Sequence, residues 1–132
     1  MEYIQKYFLR KETTIQNKKI NYYSSPTLLK NKFKHAFFSK KSSDIKPFHL
    51  SNSLNIKNKN CIINQIHSNE VVFSSLITNK NLFDADGIVC DATNQSLWIY
   101  TADCMPILFA DKRKRLVAAI HCGRKGLEKK IN

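Results

Sequence analysis

Nowhere among these 132 residues do about 18 apolar side chains run together, the length a membrane-spanning helix approaches. The first ten residues, Met-Glu-Tyr-Ile-Gln-Lys-Tyr-Phe-Leu-Arg, hold no unbroken apolar segment of the kind a secretory leader needs. The expectation is a soluble, unsecreted, cytoplasmic protein with no membrane partner. Closely spaced cysteine pairs are also lacking. Cys61, Cys90, Cys104 and Cys122 are spread along the chain, which excludes a zinc-finger pattern. Without a secretory signal they read as reduced thiols rather than as a disulfide framework. No internal repeat or low-complexity tract occurs, and the length suits one domain with a modest core, given 42% hydrophobic residues.

Acidic residues are scarce. Ten Asp and Glu stand against 22 Lys and Arg, a net charge of +12. Such an excess suggests a polyanion partner, but its distribution argues against nucleic acid. Residues 1–60 carry thirteen Lys or Arg against three acids, whereas 61–111 carry one Lys against six acids. The lysines also alternate with many Asn and Ile, a compositional bias that requires no ligand.

What the sequence does contain is a set of apolar runs that lead into metal-ligating side chains. Residues 97–100 and 116–120 are short, rich in Ile, Val, Trp and Tyr, and bounded by Asp, Pro and Gly, so they read as buried strands. They lead into Cys104 and His121. Upstream, Cys61-Ile-Ile-Asn-Gln-Ile-His67 repeats the arrangement. His67, Cys104 and His121 therefore form a candidate His/Cys/His set. Catalytic zinc is commonly held by three such ligands, with a fourth position left for water or substrate. Separations of 37 and 17 residues suit ligands gathered from different strands. Asp103 or Asp86 is placed to hold a ligand histidine by its second nitrogen. A metal-free alternative uses the same residues, with Cys104 as nucleophile, His121 or His67 as base and Asp103 as orienter. Cys61, Cys90 and Cys122 lack this context and read as structural, as do His35 and His49.

Elsewhere the reading is coarser. Residues 1–31 mix aromatics with Lys, Asn and Thr and predict short strands or a loosely packed lead-in. Residues 33–39 predict a strand, followed by Lys40 and Lys41 in a polar turn where a cation could meet an anionic substrate. Residues 42–60 predict a loop with one helical turn. Around Ser68-Asn69 two extended segments meet at a corner that carries His67. Residues 84–91 place carboxylates on either side of a short strand. Lys112-Arg113-Lys114-Arg115 predicts the charged turn of a β-hairpin, and Gly123 onward the opening of a helix.

Four blocks carry a resemblance. Gln65-Ile-His67, Asp84-Ala-Asp-Gly-Ile-Val, Thr101-Ala-Asp-Cys-Met-Pro106 and His121-Cys-Gly-Arg-Lys-Gly126 resemble, in order and spacing, the signature blocks of the YfiH-like family. Its members are labelled multicopper polyphenol oxidases or laccase-domain proteins and are understood as purine nucleoside phosphorylases. The resemblance runs from residue 33 to residue 132 and leaves 1–32 as a variable lead-in. It implies an α+β fold of mixed sheets flanked by helices, layered α/β/β/α, of which this chain would be the N-terminal half. It implies zinc, with copper as the alternative, on His67, Cys104 and His121. It also implies phosphorolysis of adenosine, inosine, guanosine and S-methyl-5'-thioadenosine, together with adenosine deamination. The partners are then purine nucleosides and phosphate, with a C-terminal half or a second copy completing the domain. Asp103, Asp86 and Lys40 are the candidate catalytic groups, and Lys40, Arg124 and Lys125 the candidate phosphate-binding cations. Where the family has Trp-Arg after His-x-Gly, this chain has Arg124-Lys125. A lone His/Cys/His set is too small for a copper oxidase, which needs a further cluster to reduce oxygen. A non-catalytic metal-binding fragment is the remaining alternative.

Overall fold

The computed structural model describes residues 8–129, which form two compact units divided between Lys57 and Asn58. The first unit is built on a hairpin. Strands β1 (Leu9–Ile15) and β2 (Lys18–Ser24) pair antiparallel from Leu9 opposite Ser24 to Ile15 opposite Lys18. Between them Gln16 and Asn17 have φ of 50° and 63°. A two-residue turn needs both residues left-handed so that its twist matches the strands. Thr13, Thr14, Ile15, Ile20, Tyr22 and Tyr23 supply the β-branched and aromatic side chains that favour extended backbone, so strands form here rather than a loose lead-in. Ile15 and Ile20 turn inward and are buried.

Of the strand expected over 33–39, only Phe37–Phe38 (β3) pairs with β2. The reason is His35. Its Nε2 accepts from the Ser25 amide at 2.7 Å and its Nδ1 donates to the Phe33 carbonyl at 2.9 Å, so the ring pins an irregular segment. Helix α1 (Pro26–Lys30) starts with Ser25 capping the Leu28 amide and Pro26 in the first turn, where the missing N–H costs nothing. Helix α2 (Pro47–Ser53) is longer than the single turn expected, because Pro47 opens it and Leu50 and Ser51 are buried along one side.

In the second unit, β4 (Lys59–Cys61) pairs parallel with β7 (Gln95–Leu97). A four-stranded mixed sheet has the order β5 (Val71–Phe73), β6 (Gly87–Val89), β9 (Leu116–Cys122), β8 (Met105–Asp111). Strands β5 and β6 are parallel, and β9 is antiparallel to both of its neighbours. The strand alternation places Val72, Ile88, Ala119 and His121 on one face. There Val72 and Ile88 pack with Cys61, Ile63, Ile77 and Ala85, backed by Phe83, Leu97 and Ile99. The other face leaves Val71, Phe73, Met105 and Phe109 exposed. Residues 112–115 are the turn of the β8–β9 hairpin, as expected, and Asp111 Oδ1 accepts from the Arg113 and Lys114 amides at 2.8 and 3.1 Å. The fold is α+β, with mixed sheets and few, short helices.

One expectation needs correction. Residues 98–100 are not strand. The Trp98 amide still bonds the Cys61 carbonyl at 3.0 Å, but at Tyr100 a side chain, Gln65, takes over from a partner backbone. Cys104 therefore stands immediately before β8 rather than at the end of a strand. This matters for the site, because β5, β6 and β8 all begin, and β9 ends, at one end of the four-stranded sheet. Residues 66–70, 86, 104 and 121–123 are delivered to that end by topology alone.

Candidate metal centre

At that end the register sets Pro106 opposite His121 and Met105 opposite Cys122. Cys104, one residue earlier, reaches the same edge. His67 arrives on the loop before β5, with φ of 59°, a left-handed conformation that turns the chain sharply and that non-glycine residues adopt at a cost of about 1 kcal/mol or more. One donor atom each from His67, Cys104 and His121 lie within 4.8 Å of one another. The two imidazoles meet edge to face, with centroids 4.8 Å apart. The Cys104 sulfur lies 3.8 Å from His67 Nε2.

That last distance is informative. Two ligands bound to zinc at about 2.3 Å for sulfur and about 2.05 Å for nitrogen, at a tetrahedral angle, stand about 3.6 Å apart. The observed separation is close to the bite of two donors on one ion. His121 is buried, Cys104 half-buried and His67 exposed, so the set is closed on the His121 side and open on the His67 side. Two borderline nitrogens and a soft sulfur fit zinc, and their softness also suits copper.

Asp86 organises the set. It is fully buried, and its Oδ1 accepts from His121 Nδ1 at 2.7 Å and from the His67 amide at 3.0 Å. Its Oδ2 accepts from the Ser68 amide, the Ser68 hydroxyl and the Ile66 amide at 2.6, 2.7 and 3.3 Å. Burial pushes this carboxyl up, but the bonds from His121, Ser68 and His67 outweigh it and hold the group below the ordinary carboxylate value. With Nδ1 donating to Asp86, His121 keeps the Nε2 lone pair for a metal.

The other sequence candidates are placed differently. Of the two aspartates, Asp86 rather than its exposed rival Asp103 holds a histidine. Arg124 and Lys125 are exposed on α3 (Arg124–Glu128), which starts directly after β9, and Arg124 Nε lies 3.9 Å from Glu128. Lys40 is exposed at the start of a 3-10 turn in the first unit. Cys61 and Cys122 are buried in the apolar clusters, and Cys90 donates to the Ala92 carbonyl. His35 pins its loop, and His49 is exposed against Phe48. Sequence reasoning missed Ser68, which gives two of the five bonds on Asp86. A Ser in the turn next to His67 was the available signal.

The sequence profile of the family described as multi-copper polyphenol oxidoreductase laccase matches residues 47–132. A Synechocystis protein named purine nucleoside phosphorylase is 33% identical over 103 residues, covering 74% of this chain and 39% of that protein. A Mycobacterium tuberculosis protein of the same name is 38% identical over 69 residues, covering 52% of this chain and 28% of its own length. In fold, the chain is similar to a Neisseria meningitidis protein of the family DUF152, with a TM-score of 0.59 at 23% identity over 94% of this chain and 53% of the other. It is also similar to YlmD from Geobacillus stearothermophilus, with a TM-score of 0.57 at 24% identity over 64% of this chain and 34% of the other. The chain thus spans about half the length of the Neisseria protein. With a profile match over most of its residues and all four signature blocks present, the chain belongs to the laccase-like, YfiH-type family.

Proposed function

We propose that the chain carries the metal-binding part of a zinc-dependent purine nucleoside phosphorylase. The observation that carries this is the convergence of His67, Cys104 and His121 within 4.8 Å, and the names of the Synechocystis and mycobacterial relatives support the class of reaction. The substrates proposed are adenosine, inosine, guanosine and S-methyl-5'-thioadenosine, with adenosine deamination as a second activity. On this reading residues 33–132 belong to the phosphorylase domain and 1–32 are a variable lead-in. Completion of the substrate pocket by residues of a C-terminal half or of a second copy is part of the reading.

In phosphorolysis a phosphate oxygen bonds to C1' of the sugar, the C1'–N9 bond breaks, and its electron pair leaves with the purine, which takes up a proton. Zinc, when bound, supplies a Lewis acid with one open position. The chain's own residues then have separate tasks. His67, Cys104 and His121 hold the ion, and Asp86 fixes the ligand tautomer. Exposed Asp103, beside Cys104, is assigned the proton on the purine nitrogen. Arg124 and Lys125 offset phosphate charge next to the site. In deamination water adds at the purine's six-position and ammonia leaves. Among the described residues there is one such cluster, and a laccase needs more.

A metal-free Cys104/His67 hydrolase is favoured by one observation, their 3.8 Å contact, and differs in surviving chelation. The test is incubation of the purified protein with adenosine and phosphate, with products separated by chromatography. Adenine or inosine in excess over a His121→Ala control, and lost on chelation, is expected. Neither product above the control refutes the activity.

A further inference from the structure

The five bonds on Asp86 come from the two segments that carry the histidines, and this sharing has a chemical consequence. A carboxylate accepts at both oxygens, and here both are needed. Oδ1 serves His121 and the His67 amide, while Oδ2 serves Ser68 twice and the Ile66 amide. From this geometry we propose that Asp86 is a positioning residue for both imidazoles at once, such that an isosteric amide keeps one of them at most. The proposal rests on the metal-site reading.

Consider Asn at 86. With its NH2 in the place of Oδ1, it meets the His67 N–H donor to donor. It can satisfy His121 only by donating to Nδ1. That moves the imidazole proton to Nε2 and removes the lone pair a metal requires. With its NH2 in the place of Oδ2, it faces the amides of Ser68 and Ile66, two donors that an amide nitrogen cannot accept from. The 66–68 segment then loses the two anchors that flank His67, and only the His67 amide's own bond to the remaining oxygen is left to hold its left-handed backbone at φ of 59°. Either orientation sacrifices one ligand, His121 through its tautomer or His67 through its loop. Ser68→Ala, by contrast, removes one hydroxyl and leaves the His121 bond in place.

The test compares wild type, Asp86→Asn and Ser68→Ala. Zinc affinity is read by competition with a chromophoric chelator, ligand identity by cobalt(II) absorption, and histidine tautomers by two-bond proton–nitrogen spectra of the metal-free protein. Asp86→Asn is expected to bind zinc about 10- to 100-fold more weakly, keeping the thiolate-to-cobalt band while its d–d envelope changes. Ser68→Ala is expected to lose several-fold, with the His121 tautomer unchanged. A folded Asp86→Asn variant within threefold of wild type overturns the proposal. Should Asp86→Asn not fold, Ser68→Ala decides, since a folded variant with unchanged affinity overturns it and a several-fold loss supports it. If wild type binds no zinc, the metal reading fails separately. The tautomer of His121 then decides, with a proton on Nδ1 supporting the proposal and a proton on Nε2 overturning it.

Discussion

Gly123 packs its bare Cα against Cys104. A Cβ at this position would stand 3.2 Å from the Cys104 sulfur and 3.2 Å from His67 Cδ2. The glycine has an ordinary extended backbone, with φ of −88°, so its value here is space and not conformational freedom. Gly123→Ala should therefore fold with little backbone strain while displacing two donors by a few tenths of an ångström. Zinc affinity is expected to fall several-fold, read by chelator competition, with a melting temperature within a few degrees of wild type. Undiminished affinity would show that the two donors can yield freely.

Loss of the sulfur ligand should be more severe. Protein purified without added metal is expected to contain one equivalent of zinc by elemental analysis, and Cys104→Ser to contain almost none. A serine hydroxyl neither ionises readily nor matches the softness of a thiolate. Cys122→Ser, next to His121 in the chain but turned to the opposite face of β9 and buried with Ile120 and Ile107, should retain the metal. A Cys104→Ser protein that keeps its zinc would remove the thiol from the ligand set.

How far the site was legible in the sequence depends on which physics decided each residue. The three donors stood out because each follows or precedes an apolar run and has a turn residue near it. The hairpin turn at 112–115 was equally plain, since four cations between two apolar runs have nowhere to go but water. The choice between Asp86 and Asp103 was not legible. Both are aspartates in the signature blocks, and only the sheet's mixed order buries Asp86 at the start of β6 beside β9 while leaving Asp103 in solvent. Residues 98–100 misled for a related reason. Their composition is strand-like, but the backbone partner that a strand needs is replaced by one glutamine side chain, which no local pattern announces. The brevity of β3 has a similar origin in His35, whose ring ties the Phe33 carbonyl to the Ser25 amide, a bridge invisible in the run of apolar residues around it.

Asp91 predicts a pH effect away from the metal site. Its carboxylate accepts from the Ser75 hydroxyl and amide and from the Ser74 hydroxyl, tying down the 3-10 turn after β5. The Ser75 bonds, hydroxyl first, hold this carboxyl below its ordinary value. A folded-state pKa below the unfolded one means that the contribution is complete above about pH 5, beyond the unfolded value of about 3.9, and is lost as pH falls through the folded value. The difference in urea midpoint between wild type and Asp91→Asn should be constant from pH 6 to 8 and shrink below pH 4. A difference that persists unchanged at pH 3 would contradict this account.

Gln65 predicts a link between the two halves of the site. Its Oε1 accepts from the Tyr100 amide and its Nε2 donates to the Tyr100 carbonyl, both at 2.7 Å. The side-chain amide thus imitates a neighbouring strand, and it joins the segment carrying His67 to the one carrying Cys104. Each bond is worth about 0.5–1.5 kcal/mol net, so losing both in Gln65→Ala should cost about 1–3 kcal/mol in urea unfolding. Gln65→Glu keeps the acceptor but cannot donate to the Tyr100 carbonyl at neutral pH, so its loss should be at least that of the one bond. Because Cys104 lies four residues beyond Tyr100 with no regular structure between, both variants should also bind zinc several-fold more weakly than wild type. If Gln65→Ala matches wild type in zinc affinity while losing stability, the clamp serves the fold alone and Cys104 is held by β8.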